Sequence, residues 1–340
     1  MIANHRRTSW SVAAFAVASL AAIPMWWIAS AVIAGVPAGG TGWLAIACAI
    51  LLLLSIVAGV VEAWIPPAAL VVFAGWTLIR DPAGALSSSP LDGPFGYVNA
   101  EGAFFGQAAF AAILVSAVWR GRARVLPAAA AVAFALVPFL AHSYAAGVLL
   151  LVMAPIALAL GSAGRGTTAA HTALGAVCFS IIATAVLASG IVRHQMPGVY
   201  RASGELLSYR RLALWGDALE IIAEHPMVGT GPETFSVVSP TARTDPDARW
   251  THNEFLQAGA ETGIPGLVIV VGVFVALFLA LSISGDGVVV AVAAAALAAV
   301  GVQASIDYIL HFPAVPLAAV AIVGAAIGAN LRRHPHGIRA

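Results

Sequence analysis

The sequence contains no lysine; all 16 of its basic residues are arginine. Charged residues of both signs amount to 9% of the 340 positions, against roughly a quarter in an average soluble domain. So few charges exclude an ordinary water-soluble domain, and a net charge of +1 gives no footing for a nucleic-acid partner. Cysteine is nearly absent as well. Cys48 and Cys178 both fall in apolar runs, which excludes a disulfide framework or a thiolate metal cluster and leaves them as small core residues. Several catalytic signatures are missing: there is no His-Glu-x-x-His, no Cys-x-x-Cys, no P-loop and no Gly-x-Ser-x-Gly. The Gly229-Thr-Gly231 pair is too sparse for a nucleotide loop. The Asp-x-Asp pattern occurs only as Asp245-Pro-Asp247, in a stretch from Ser239 to Asp247 whose Pro, Thr and Asp content reads as a mobile loop. Neither a metal ion nor a cofactor is expected.

What the chain has instead is apolar surface, at 61% of its residues. This predicts an all-α integral membrane protein. The run from Trp10 to Ala34 follows His5-Arg6-Arg7 and exceeds a signal-peptide core, so it reads as an uncleaved first span. Further spans are expected at 42–61, 63–79, 102–119, 125–141, 145–161, 169–192, 265–282, 288–306 and 313–329, about ten helices in all.

Positive residues in short loops stay in the cytoplasm. With ten spans both termini share one side, which collects Arg6, Arg7, Arg120, Arg122, Arg124, Arg165, Arg332, Arg333 and Arg339 and is therefore expected to be cytoplasmic. Two polar segments then face outward: 80–101, and the long loop 193–263 between the seventh and eighth spans. The long loop holds Arg193, Arg201, Arg210, Arg211, Arg243 and Arg249 against the positive-inside trend, and arginine kept outside calls for a function. Within it, Leu212, Trp215, Leu219 and Ile222 recur at helical spacing, so 207–224 is expected to form an amphipathic helix lying in the headgroup layer. No segment outside the membrane is long enough to fold alone, and residues 1–340 read as one polytopic domain.

Polar, chemically capable residues gather at the mouth of the eighth span, between Arg249 and Gly266. Thr251 and Glu254 have capping-box spacing, which predicts a short helix with His252 and Asn253 in its first turn. Gly263 should end it, and Pro265 open the span. The positive end of the helix dipole favours a neutral imidazole, which makes His252 a candidate base; the other reading is a first-turn histidine bonded to nearby backbone. Arg210 and Arg211 fit headgroup contacts of an interfacial helix, a bidentate clamp on a phosphate, or both. Glu101, two residues after Asn99, reads as a first-turn acid behind an N-cap. Asp307, beside Tyr308 and His311 at the outer end of the ninth span, belongs either to an outward site or to the point where the helix leaves the lipid. His142 and Tyr144 occupy the turn between the fifth and sixth spans.

The run from Tyr209 to Phe235, beginning Tyr-Arg-Arg-Leu-Ala-Leu-Trp, and the run from Thr251 to Leu267, beginning Thr-His-Asn-Glu-Phe-Leu, carry a resemblance. Gly93-Pro-Phe-Gly-Tyr-Val-Asn99 and Asp307-Tyr-Ile-Leu-His-Phe-Pro313 extend it. In this order, across most of the chain, the four blocks resemble the O-antigen ligase and O-antigen polymerase family of bacterial membrane proteins. The resemblance implies a metal-independent, inverting glycosyltransferase. It would take a glycan from an undecaprenyl-diphosphate carrier on the outer face of the cytoplasmic membrane and pass it to lipid A core, to another carrier-linked glycan or to protein. It implies His252 as the base for the acceptor hydroxyl and outward arginines on the diphosphate, with Arg211 matching the one before the Leu-x-Leu-Trp pattern. Many relatives carry an arginine in a Ser-Arg-Gly turn after the fifth span. Here Tyr144 stands in its place, so Arg80, Arg210 or Arg249 would have to compensate. Asn253, Glu261, Asp307 and Tyr144 complete the candidate diphosphate- and glycan-binding set. Membrane lipids are the other expected partners. Two further classes remain: a transporter or flippase for a lipid-linked glycan, and a non-catalytic partner of a polysaccharide machine, which the missing arginine keeps open.

Overall fold

In the computed structural model, residues 2–40, 42–87, 89, 93–245, 248–285 and 287–333 are described, the side chains of 2–9 and 333 excepted. The side chains of Arg6, Arg7 and Arg333, and residues Asp247 and Arg339, which the charge asymmetry and the Asp-x-Asp pair involve, lie outside them. The regular elements among the described residues are helices. In chain order they are α1 (Ile2–Ala34), α2 (Gly42–Val61), α3 (Ile65–Arg80), α4 (Pro82–Ala85), α5 (Val98–Val118), α6 (Val125–Leu140), α7 (Tyr144–Ser162) and α8 (Gly166–Ala188). Then follow α9 (Gly190–Gln195), α10 (Pro197–Leu207), α11 (Tyr209–Glu224), α12 (Phe235–Val238), α13 (Pro240–Thr244), α14 (Glu254–Ser282), α15 (Val288–Ala304) and α16 (Ala314–Arg333). Short 3-10 turns occupy Gly121–Arg124 and Ile309–His311.

Each of the ten expected spans falls on an apolar helix, and eight of these are long and apolar enough to cross a membrane. The exceptions, α3 and α15, have 16 and 17 residues, or about 24–26 Å at the helical rise, short of a hydrocarbon core about 30 Å thick. Helix α15 is buried almost throughout from Val290 to Val300, so protein rather than lipid surrounds it. Its run of alanines lets α5, α7, α8 and α16 approach closely, and the core is completed by Phe104, Phe105 and Phe110 of α5.

Helices α2 and α16 pack extensively against each other. Gly324 and Gly328 stand four apart on α16, the spacing that lets two membrane helices touch backbone to backbone. A Cβ on Gly328 would lie 2.2 Å from the Ile56 carbonyl oxygen, and one on Gly59 would lie 2.6 Å from that of Ala325.

Helices α9 to α13 form a layer at the end of the bundle where α14 begins. Here two expectations are corrected. The amphipathic helix exists as α11, but its apolar face does not await a lipid surface. Leu212, Leu214, Trp215, Ala218 and Ile221 are buried against Phe235, Ala242, Ala248, Leu256 and Ala260 in a second core. The stretch expected to be a mobile loop is, over Pro240–Thr244, a helical turn capped by Ser239, whose Oγ accepts from the Ala242 amide. Asp217 of α11 holds it by accepting from the Ser239 hydroxyl and the Thr241 amide.

Candidate active site

Helix α14 starts two residues later than the capping-box reading placed it, with the cap at Asn253 rather than Thr251. Asn253 is the N-cap, accepting from the amides of Phe255 and Leu256 at 3.1 and 3.0 Å. Glu254 does not reach back across the turn; its Oε1 accepts from the Leu310 amide at 2.7 Å and meets His311 Nδ1 at 3.1 Å. Thr251 donates its hydroxyl to the Asn253 carbonyl. His252 therefore lies outside the helix, at φ +53, a left-handed conformation that costs a non-glycine residue about 1–3 kcal/mol. Trp215 Nε1 holds its carbonyl at 3.2 Å. This strained corner turns the imidazole away from the helix and toward Asp307.

Asp307 is the centre of the site. It lies between α15 and α16, is 3% exposed, and collects donors from four separate parts of the chain. His252 Nδ1 is 3.0 Å from Oδ1, and Arg211 donates to Oδ2 at 3.3 Å. The Tyr97 hydroxyl sits 2.8 and 2.9 Å from the two oxygens, Asn99 Nδ2 is 2.6 Å from Oδ2, and the Tyr308 amide is 2.8 Å from Oδ1. Burial alone would raise the Asp307 carboxyl. The hydrogen bond from His252 and the charge of Arg211 outweigh burial and hold it below its ordinary value of 3.8. An ionised Asp307 fixes the proton of His252 on Nδ1 and leaves the Nε2 lone pair free to accept another. The network assigns this tautomer.

Aromatic rings wall the group. Tyr308 stacks on Tyr97 at 4.6 Å between centroids and meets the His252 ring edge-on at 4.7 Å. Phe312 stacks on the Tyr97 ring at 5.1 Å, and Trp250 covers His311 at 4.3 Å. Burial pushes the Tyr308 phenol up to about 12 and raises that of Tyr97 further, with the Asp307 charge adding to both, so the two phenols stay protonated, and the Tyr97 oxygen also accepts from Asn99 Nδ2 at 3.0 Å. Burial would lower His311, but the charge and hydrogen bond of Glu254 outweigh it and the imidazole is raised above 6.5.

Of the candidate residues, the structure brings His252, Asp307 and Arg211 together. Arg210, the next residue along α11, points elsewhere and pairs with Asp245. Arg249 is exposed on a shallow pocket beside Arg243 and Asp245, and Arg80 is exposed at the end of α3. Tyr144 is 56% exposed and packs on His142. No hydrogen bond, ion pair or ring contact among the described residues joins Arg80, Arg249 or Tyr144 to the Asp307 group. Asn253 lies against the site with its amide fully engaged: besides capping α14, Nδ2 donates to Thr184 and to the Ser305 carbonyl. Glu261 is buried at the far end of the first α14 segment, accepting from the amides of Glu233 and Phe235 and from Gln257.

Glu261 belongs to a second piece of local architecture. The chain wraps Gly229, Thr230 and Gly231 around the break in α14 at Gly263, with Thr230 and Gly231 donating to the carbonyls of Ala260 and Glu261. A Cβ on Gly229 would come within 2.3 Å of Glu261, and one on Gly263 within 2.5 Å of Met227. Close packing is what these glycines serve.

Tyr97 and Asn99 are the site residues that sequence reasoning missed. Asn99 does not cap α5; the cap position is Tyr97, with no side-chain cap bond, and the Asn99 amide is directed at Asp307. Glu101 does lie in the first turn of α5, fully buried. The available signal was a tyrosine and an asparagine flanking the first residue of an apolar span.

The sequence profile of a family described as O-antigen ligase matches residues 101–271, half of the chain. Arg211 and His252 fall inside the match, while Tyr97, Asn99 and Asp307 fall outside it. No curated protein matches. The profile covers the segment that carries the base candidate and its arginine, on a bundle of membrane-length apolar helices. The chain belongs to the O-antigen ligase family and is a multi-pass membrane glycosyltransferase of the ligase and polymerase type.

Proposed function

We propose that the protein transfers a glycan from an undecaprenyl-diphosphate carrier to an acceptor hydroxyl at the outer face of the cytoplasmic membrane, with both termini in the cytoplasm. The observation that carries this reading is the contact of His252 and Arg211 with opposite oxygens of one buried carboxylate, Asp307. The acceptor hydroxyl gives its proton to His252 Nε2 as its oxygen bonds to the anomeric carbon. The bond from that carbon to the carrier phosphate breaks, and the diphosphate leaves with the electron pair. Arg211, only one of whose nitrogens faces Asp307, offers the remaining guanidinium donors to the charge growing on the leaving group. Asp307 stabilises the imidazolium and remains ionised. One direct displacement inverts the anomeric centre, and with arginine on the leaving group the step is written without a metal ion. The base is expected to contribute about 10² to 10⁴ in rate.

The orientation is supported by Arg122, Arg124 and Arg165, which lie at the opposite end of the bundle from His252, as positive residues on the cytoplasmic side do. The chain then acts as one domain, with 193–263 lying over the membrane and supplying Arg211 and His252. Carrier-linked glycans and finished surface polysaccharide are to be compared on gels from cells with the wild-type protein, with none, and with His252→Ala. Accumulation of carrier-linked material in both defective strains is expected, long chains marking a ligase and single repeat units a polymerase. If His252→Ala matches wild type while the deletion does not, the proposal fails in favour of transport or scaffolding.

A further inference from the structure

A groove of about 870 Å³ opens between α5, α6 and α7. Ser116 and Ala117 on its wall stand 17 and 18 residues along α5 from Asn99, about 26 Å from the Asp307 group at the helical rise. Small side chains make the space: Ala128, Ala131 and Ala135 of α6 face Ile113 of α5 and Leu150 and Pro155 of α7. A groove this size does not stay empty at native packing density, and in a bilayer the filler at hand is an acyl chain.

Its mouth is cationic. Arg124 lines the groove, and Arg122 belongs to the same 3-10 turn, whose carbonyl at Arg124 accepts from the Ser116 hydroxyl at 3.2 Å. From residue 102 to residue 204 the sequence contains no Asp or Glu, and no salt bridge among the described residues involves either arginine. Arg332 is the contrast: it pairs with Glu62 at 2.9 Å. Arg124 at the groove and Arg122 two residues before it on the same turn, neither in a salt bridge among the described residues, complement a phosphate that carries net negative charge. They disfavour a headgroup that brings its own ammonium.

We propose that this groove is a binding site for an anionic phospholipid, with an acyl chain along α6 and the phosphate on Arg122 and Arg124. The site is separate from the glycosyl-transfer machinery and does not depend on that reading.

The purified full chain is to be titrated with phosphatidylglycerol and with phosphatidylcholine of the same chains, and binding read by native mass spectrometry. Preference for phosphatidylglycerol is expected. It should weaken about five-fold for Arg122→Gln or Arg124→Gln and about 25-fold for the pair. Ala128→Phe fills the groove from an exposed position and should weaken both lipids while the arginines remain. Equal binding of the two lipids overturns the proposal, as does an unchanged preference in the double variant. Displacement of phosphatidylglycerol by inorganic phosphate at equal concentration overturns it too, since the headgroup alone would then account for binding. All three positions are exposed, and a thermal transition at the wild-type temperature identifies folded variants.

Discussion

Asp307→Asn tests the site most directly, because it keeps the shape of the side chain and removes its charge. The amide has two ways to sit. With its oxygen toward His252, the imidazole keeps its proton on Nδ1. The NH₂ group then faces Tyr97, Asn99 and Arg211, all donors to the carboxylate oxygens now. With its NH₂ toward His252, Nδ1 must accept, the ring proton moves to Nε2, and the base is lost. The first arrangement leaves a buried donor unpaired at a cost of about 1–3 kcal/mol and deprives the imidazolium of its counter-charge. The second imposes the wrong tautomer, a change that costs about 10⁴ in kcat in the serine-protease triad. The expected loss is therefore between about 10² and 10⁴, in kcat more than in KM, because substrate need not touch Asp307. The assay is the initial rate of transfer from a carrier-linked glycan by purified protein over a range of donor concentrations. A folded Asp307→Asn protein with kcat within about ten-fold of wild type would refute the assignment of Asp307 as the orienting group of His252.

Arg211→Lys retains the charge but loses the planar fork, and should lower kcat/KM by about 10- to 100-fold. Arg210→Gln removes only an exposed pair with Asp245 and should change it less than about three-fold; equal losses would place both arginines in the clamp. Gly328→Val forces α2 and α16 apart and should destabilise by about 1–3 kcal/mol in thermal unfolding. Gly272→Ala, with open space at its Cβ, should not. His311 is raised above its unfolded value of 6.5 by Glu254, so the stabilisation from this pair is complete below that pH and is lost as pH rises through the folded value. The difference in melting temperature between wild type and Glu254→Gln should therefore shrink from pH 6 toward pH 9, and a constant difference would rule out the ion pair.

What could be read along the chain was of short range. Hydropathy over twenty residues located every apolar helix, and Gly263 with Pro265 marked the break in α14. The 3.6-residue period of Leu212, Trp215, Leu219 and Ile222 found α11. It did not say what would cover that face, since a lipid surface and a second protein core ask for the same pattern. Capping failed for a comparable reason. Thr251 has the spacing of a cap and Asn253 has the chemistry of one, and the choice fell to Asn253 because its amide also reaches Thr184 on α8 and the Ser305 carbonyl after α15. Asn99 looked like a cap until a partner 208 positions away claimed it. The Gly324–Gly328 spacing was legible and passed unread.

The sequence by itself determined that this chain is a membrane-embedded helical bundle, that its candidate catalytic residues include the polar block before the eighth span, and, through its motifs, which family it joins. Hydrophobicity, helical period and motif are properties of neighbouring residues, and they survive without a fold. The tertiary structure decided which of the candidate side chains meet. Asp307 draws Tyr97, Asn99, Arg211 and His252 from segments as much as 210 residues apart, and Arg211 is chosen over Arg210 by the face of α11 that the second core buries. Those choices depend on which helices pack together and in what register, and a buried carboxylate must be surrounded by donors from whichever elements the packing brings within reach.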